Sequence, residues 1–160
     1  MLELIAWLTS LPLGLAIRRS TWLIPLAQTI HILAVGVVMS SVFMMDLRAW
    51  GYARSQTLAQ SAHRFGPWIW AGMVPMIATG IALVLAAPRR TLLDPAFQVK
   101  MLLMPVAIAL TIALQMAMRR DRADAVKAGW ITAVIGAATL LLWLVVTLAG
   151  RGRWIGNILR

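Results

Sequence analysis

Long apolar runs separated by short polar segments dominate the sequence. Four runs, at about residues 22–45, 67–88, 98–118 and 129–150, approach the roughly 20 residues that an α-helix needs to cross the hydrocarbon core of a bilayer. Tryptophans and basic residues gather at their ends, as they do at membrane interfaces. Because the connections are short, neighbouring helices should be antiparallel. The pattern therefore predicts an all-α protein, an integral membrane four-helix up-down bundle.

The segment before the first run, residues 1–20, is apolar but short. Pro12 interrupts it, and Arg18 and Arg19 follow its apolar part. A cleaved signal peptide has basic residues before its apolar part, so we do not expect cleavage here. We expect an N-terminal interfacial or re-entrant helix, with a fifth span left open, and a single membrane domain over residues 1–160.

Composition supports a membrane protein and removes several kinds of chemistry. The chain is 61% hydrophobic with a mean hydropathy of +0.84. It has no cysteine, which excludes disulfides, Cys-ligated zinc and iron–sulfur clusters. The net charge of +10 comes from basic residues at the ends of the apolar runs, where they meet lipid headgroups rather than nucleic acid. They divide almost evenly between the two ends, so charge gives no membrane orientation.

His31 is the only ionisable side chain well inside any of the four runs. An imidazole in hydrocarbon is costly, which makes it a candidate functional residue. We call side A the end of the bundle where the first run begins, at Trp22, and side B the opposite end. The helical rise puts His31 about 13 Å in from side A. At that depth the other three runs contribute Met76, Thr79, Gly80, Met104 and Trp143.

A haem b suits these neighbours. The iron needs an imidazole nitrogen and the macrocycle needs apolar walls, and the core of a helix bundle offers both. Small residues one turn from His31, Ala27 and Ala34, leave space for a planar group. The sequence therefore predicts haem b as cofactor, with His31 as the metal ligand.

The second axial position and the propionate partners are less defined. Met104, Met76 or Lys100 could supply a second ligand, the iron could be five-coordinate, or two copies of His31 could share one haem in a homo-oligomer. His63 lies near side B, about 20 Å away in depth, which is too far. Gln28 is a further neighbour of His31. The propionates would meet cations on side A through charge-assisted hydrogen bonds, from Lys100, Arg18, Arg19, Arg89 and Arg90.

Two other functions remain open. His31 could simply hydrogen-bond Gln28, Thr79 or a carbonyl and stabilise packing, in a non-catalytic accessory subunit of a larger membrane complex. Alternatively, the ten methionines could handle Cu(I), which binds soft thioethers. Asp46 and Arg48 read as an interfacial pair or a helix end. No residue pattern identifies a catalytic group, and whether the chain is an enzyme is open.

Three segments resemble known membrane proteins: QTIHILAVGVVMSSVFMMDLRAWG, HRFGPWIWAGMVPMIATGIALVL and FQVKMLLMPVAIAL. Over about residues 22–118 the chain is similar to small bacterial four-span proteins of a family of unknown function. More distantly, it resembles HemJ-type protoporphyrinogen oxidases and the membrane part of CopD-type copper proteins. The HemJ resemblance implies that His31 is a haem b ligand, that Lys100 is functional and that Arg64 matches a basic residue of the second span.

The resemblance implies no particular reaction, because residues 43–46 differ from the tyrosine- and histidine-bearing end of the first HemJ span. It implies a location in a bacterial inner membrane. The function expected from the sequence is therefore electron transfer or haem-dependent redox chemistry or sensing, with a redox partner or a larger membrane complex in the same bilayer.

Overall fold

Seven α-helices form the part of the chain that the structure describes. The structure is a computed structural model, and it describes residues 2–52, 56–120 and 125–149. No strand occurs within those ranges. The helices are α1 (Leu2–Ser10), α2 (Pro12–Arg19), α3 (Leu23–Ala49), α4 (Leu58–Ala86), α5 (Pro88–Leu92), α6 (Pro95–Arg120) and α7 (Ala125–Ala149).

Four of these helices are long and apolar enough to cross a membrane: α3, α4, α6 and, in α7, Trp130–Ala149. They form a ring in which α3 packs on α4 and α7, and α6 packs on α7 and less extensively on α4. Neighbours run in opposite directions. As α3 advances from His31 to Val38, its contacts on α4 run back from Gly80 to Gly72. The all-α four-helix bundle is confirmed, and its composition is that of a small membrane protein.

Helix α4, which contains the second predicted run, begins at Leu58, well before the predicted boundary at residue 67. Its start is fixed by a capping box: the Gln60 amide donates to Thr57 Oγ1 (3.1 Å) and the Thr57 amide donates to Gln60 Oε1 (2.8 Å). These bonds satisfy amides that have no partner within the helix. The first turns of α4 contain polar residues, so the hydrophobic pattern did not predict that they are helical. The helix ends at Ala86 instead of residue 88, because Pro88 begins α5.

The other three helices are also longer than their apolar runs. The run predicted at 22–45 continues to Ala49, the run at 98–118 lies within Pro95–Arg120, and the run at 129–150 lies in a helix that starts at Ala125. Residue 150 lies outside the described residues. In each case polar residues continue the helix past the apolar stretch, because backbone hydrogen bonding does not require apolar side chains.

The N-terminal segment forms two helices where one was expected over residues 1–20. Pro12 is the first residue of α2, a position where its missing amide costs nothing. Neither helix is long enough to cross the hydrocarbon core. Arg18 ties them to the bundle, because its guanidinium donates to the carbonyl oxygens of Leu85 (2.8 Å) and Thr9 (2.7 Å). The two short helices thus pack at the side A end of α4.

The buried core lies along the centre of the ring. Val38, Val42 and Ile69 are fully buried, and Trp143 is 1% exposed. Large apolar side chains also cover the outer surface, including Leu102, which is 74% exposed. Such a surface would be anomalous in water, whereas lipid tails cover it without cost.

Replacing Gly72 should test the close packing of α3 on α4. A Cβ at position 72 would lie 3.0 Å from Val38 Cγ2 and 3.3 Å from the Ala34 carbonyl oxygen. We expect Gly72→Ala to lower the free energy of unfolding by about 1–3 kcal/mol, the usual cost of overpacking. Equilibrium unfolding in mixed detergent micelles measures this change.

Gly36→Ala is the matched control. A Cβ there would meet nothing within 4 Å, so the replacement should be neutral or stabilising by up to about 1 kcal/mol, as for Gly→Ala in a helix. If both variants unfold like the wild type, α3 and α4 do not pack as closely as described.

Candidate functional site

His31 lies on the face of α3 that packs against α4, and its side chain is half-buried. Its Nδ1 is 3.0 Å from Thr79 Oγ1. The ring also packs against Gly80, where a Cβ would lie 3.5 Å from His31 Cε1, an ordinary van der Waals contact. Consecutive residues of α4 thus hold the imidazole on one side, as the depth estimate predicts.

The hydrogen bonds of Thr79 assign the tautomer of the imidazole. Thr79 Oγ1 lies 2.5 Å from the Pro75 carbonyl oxygen and 3.2 Å from that of Met76, so its single hydrogen is donated to the backbone. The hydroxyl can then only accept from His31 Nδ1, which must be protonated. Nε2 then keeps its lone pair, and the backbone of Met76 is a further hydrogen-bond partner of the imidazole. Metal-bound histidines are held in this way through their other nitrogen.

Two cavities adjoin His31 in the side A half of the bundle. The larger has a volume of about 520 Å³, within the usual range for small-molecule and cofactor sites. The smaller, about 220 Å³, extends along α4 and α6 to Leu8 of α1. Four residues line both cavities: His31, Met76, Lys100 and Met104. The larger is completed by Gln28, Ile32, Val35, Leu83, Trp143, Val146 and Thr147.

Lys100 makes the cavities electropositive. Among the described residues that line them, it is the only Lys or Arg and there is no Asp or Glu. It is close enough to His31 for their charges to interact. An unpaired ammonium in apolar surroundings is costly. The site therefore favours a ligand with a negative group.

The arginines expected near the propionates lie elsewhere. Arg18 donates to backbone carbonyls of α1 and α4, which leaves its guanidinium engaged. Arg19, Arg89 and Arg90 are exposed, and none of the four lines either cavity. Gln28 does line the larger cavity, although it is an exposed residue. Of the predicted cations, the structure brings only Lys100 to the site.

Trp143 forms a fixed wall of the larger cavity. Its Nε1 donates to Thr111 Oγ1 (3.0 Å), and that hydroxyl donates to the Ala107 carbonyl oxygen (2.7 Å). Both bonds are buried, so they hold the indole between α6 and α7 at a defined angle. Met76, only 3% exposed, and Met104 present thioethers to the same space. Within the described ranges no three His, Cys, Asp or Glu residues are grouped to hold a bare metal ion.

Asp46 is the residue that the sequence interpretation missed. We expected an interfacial pair with Arg48 or a cap of the helix end, but Asp46 is fully buried and neither carboxyl oxygen has a hydrogen-bond partner among the described residues. The Arg48 guanidinium instead donates from Nε to the Gln56 carbonyl oxygen. The sequence did contain an indication that Asp46 is buried. Asp46 follows Val38 and Val42 at intervals of four and therefore lies on the same face of α3.

Fold and site together define a small helical membrane protein with a histidine-lined cavity in one half of a four-helix bundle. The chain matches the family described as "Family of unknown function (DUF6644)" over residues 17–158, and it belongs to that family. No curated protein and no solved structure matches it. The expected membership of a small membrane-protein family of unknown function is confirmed, whereas the more distant HemJ and CopD resemblances stay predictions.

The tautomer of His31 can be measured by ¹⁵N NMR of the ligand-free protein. His63→Gln leaves His31 as the only histidine, since the chain has two. We expect one protonated nitrogen, Nδ1, and one bare nitrogen, Nε2. Thr79→Val should weaken this preference, because a methyl group cannot accept the Nδ1 proton and only the backbone of Met76 remains as a partner of the ring.

Thr29→Val is the control, because the Thr29 hydroxyl donates to the Pro25 carbonyl oxygen alone (2.9 Å) and should leave the His31 spectrum unchanged. A wild-type spectrum with the proton on Nε2, or a Thr79→Val spectrum identical to the wild type, would contradict the assignment.

Proposed function

We propose that the protein is a membrane haem b protein with His31 Nε2 as an axial ligand. The observation behind the proposal is the orientation of the imidazole. Thr79 accepts from Nδ1, so Nε2 carries the lone pair beside a cavity of about 520 Å³. Neutral imidazole with a free Nε2 is the state in which histidine binds iron.

The other residues that line the larger cavity are chemically suited to a haem b. Val35, Val146 and Trp143 supply apolar walls, and Met76 or Met104 offers a thioether as second axial ligand. The ammonium of Lys100 would meet a propionate by a charge-assisted hydrogen bond. We assign no propionate to Arg18, because the backbone carbonyls of Leu85 and Thr9 occupy its guanidinium.

Bound haem b would supply a one-electron iron couple, and the chain's own residues set its surroundings. Val35, Val146 and Trp143 lower the local polarity on one part of the cavity wall, and a lower local dielectric strengthens electrostatic interactions. Lys100 stabilises negative charge placed in the cavity, whether a carboxylate or an added electron. We infer electron transfer, or haem-dependent oxidation or sensing, as the function. The HemJ resemblance implies the same two residues, His31 and Lys100.

We infer a location in a bacterial inner membrane, where a redox partner or a larger complex would share the bilayer. The exposed arginines on side A, Arg19, Arg89 and Arg90, would then meet lipid headgroups. His31 faces α4 inside its own bundle, so one protomer can hold the group without a second copy.

An absorption spectrum of the purified protein tests the proposal. After expression with an adequate haem supply, we expect a Soret band and sharp α and β bands on reduction with dithionite. His31→Ala should lose these bands because it removes the iron ligand. His63→Ala is the control and should keep them, because His63 is exposed near side B. A wild type without a Soret band, or a His31→Ala spectrum like that of the wild type, overturns the proposal.

Substituting the two methionines identifies the second ligand. Met104→Leu and Met76→Leu keep the volume of the side chain but remove the sulfur. If one thioether binds the iron, that variant should shift from a low-spin to a high-spin spectrum while the other remains low-spin. Unchanged spectra in both variants would exclude a methionine ligand.

A Cu(I) site is the second candidate, because one imidazole and two thioethers line the same space and Cu(I) prefers soft ligands. It is distinguished by a colourless wild type that retains Cu(I) and loses it when Met76 and Met104 are both replaced by leucine. A wild type that binds neither haem nor copper would leave His31 a packing residue in an accessory subunit.

A further inference from the structure

A second polar site lies in the side B half of the bundle, about 22 Å along α3 from His31. At its centre is Asp46, which is fully buried. Neither of its carboxyl oxygens has a hydrogen-bond partner, and no ion pair to it is found among the described residues. This site is independent of the haem proposal.

The packing around Asp46 is built to hold a carboxyl group. Gly136 of α7 lies against it, and a Cβ at position 136 would collide with Asp46 Oδ1. The same Cβ would lie 3.7 Å from Leu114 Cδ1 of α6. The carboxyl therefore sits where α3, α6 and α7 meet, in a space that exists because residue 136 has no side chain.

A charged carboxylate cannot persist in this position at low cost. Removing an ionised carboxylate from water costs several kcal/mol unless a counter-charge or several donors replace the water. The neutral acid loses much less on burial. With no partner for either oxygen, the packing favours the protonated form.

The cations nearest to this end of the bundle are engaged elsewhere or exposed. Arg48 donates to the Gln56 carbonyl oxygen, and Arg64 lies over the Phe65 ring at 5.6 Å. Arg119 approaches position 66 on α4, and His63 is exposed. On α7 the side chain of Lys127 lies outside the described residues. None of the described groups forms an ion pair or hydrogen bond with Asp46.

Other polar atoms without partners lie in the same half of the bundle. Among the described residues, the buried side-chain nitrogens and oxygens that lack a hydrogen bond belong to Asp46, Ser61 and Gln115. Gln115 Oε1 accepts from Trp70 Nε1 (3.3 Å), which leaves Nε2 as the unpaired atom. All three residues lie towards side B. Among the described residues, the buried polar atoms without a hydrogen bond are therefore concentrated at this end of the bundle.

Trp50 separates Asp46 from the side B surface. It follows Asp46 by four residues and so lies one turn nearer side B on the same face of α3. Its Nε1 donates to the Ala133 carbonyl oxygen of α7 (3.2 Å), three residues before Gly136. The indole therefore crosses the α3–α7 seam directly outside the carboxyl. The Trp50 side chain is 40% exposed, so its ring reaches the surface on this side of the carboxyl.

We propose that Asp46 is a proton-binding site that holds a proton in the folded protein and exchanges it with side B past Trp50. The exchange transfers one proton between the Asp46 carboxyl and water or a buffer base at the surface. The acid becomes a carboxylate when the proton leaves, and no oxidation state changes.

Infrared spectroscopy tests whether Asp46 is protonated. At neutral pH we expect the C=O stretching band of a carboxylic acid, which shifts in D₂O and after labelling of aspartate carboxyls with ¹³C. The Asp46→Asn variant should lack this band, because asparagine has no carboxyl group. Its side chain has nearly the same shape as that of aspartic acid. Asp94→Asn is the control, because an asparagine can still accept from the Ala96 amide as Asp94 Oδ1 does (3.0 Å).

The isotope-labelled wild type reports on the band even if Asp46→Asn does not fold. A labelled wild type without an acid band at neutral pH overturns the proposal, as does a band that persists in Asp46→Asn.

The route past Trp50 is tested by the rate of hydrogen–deuterium exchange at the acid band. Trp50→Phe keeps an aromatic ring but loses the bond to Ala133, so exchange should be about fivefold faster, as expected for the loss of one hydrogen bond. Trp68→Phe is the control, because Trp68 is 60% exposed on α4. Equal rates in the wild type and Trp50→Phe would overturn the route.

Discussion

The close packing of α3 on α4 is the interaction on which the rest of the structure depends. Lipid provides no hydrophobic drive for helices to associate, so contact depends on small residues and interhelical hydrogen bonds. Gly72 lets Val38 approach, and the imidazole of His31 lies against Gly80 of α4 and bonds Thr79. Because that bond fixes one nitrogen of the ring, the other is left available to the cavity. The looser contact between α4 and α6 leaves the space beside it.

Much of the fold and part of the site could be predicted from the sequence. Depth along antiparallel helices follows from a constant rise per residue, which is why Met76, Thr79 and Met104 were expected beside His31 and are found there. The ends of the helices and the directions of the side chains were harder to predict. The start of α4 depends on the capping residues Thr57 and Gln60, which carry no apolar signal. Nothing in the sequence pattern showed that the guanidinium of Arg18 would turn to backbone carbonyls.

His31 and Asp46 lie at different depths in the bundle, and their polar groups are held in different ways. His31 is held by a donor–acceptor chain that runs from its Nδ1 through Thr79 to the Pro75 carbonyl. Asp46 has no such chain and relies on exclusion from solvent. Between them Val38 and Val42 of α3 are fully buried. The two positions can therefore act separately, and neither needs the other in order to be explained.

Gly136 constrains how sequences of this family can diverge. Because its backbone lies directly beside the carboxyl of Asp46, a side chain at position 136 requires either that this carboxyl move or that a smaller residue take position 46. The two positions are about ninety residues apart in the chain, yet their contact makes the residue allowed at one position depend on the residue at the other. Drift on α7 is thus limited by the identity of a residue on α3, and this pair would covary among relatives that keep the same helix packing.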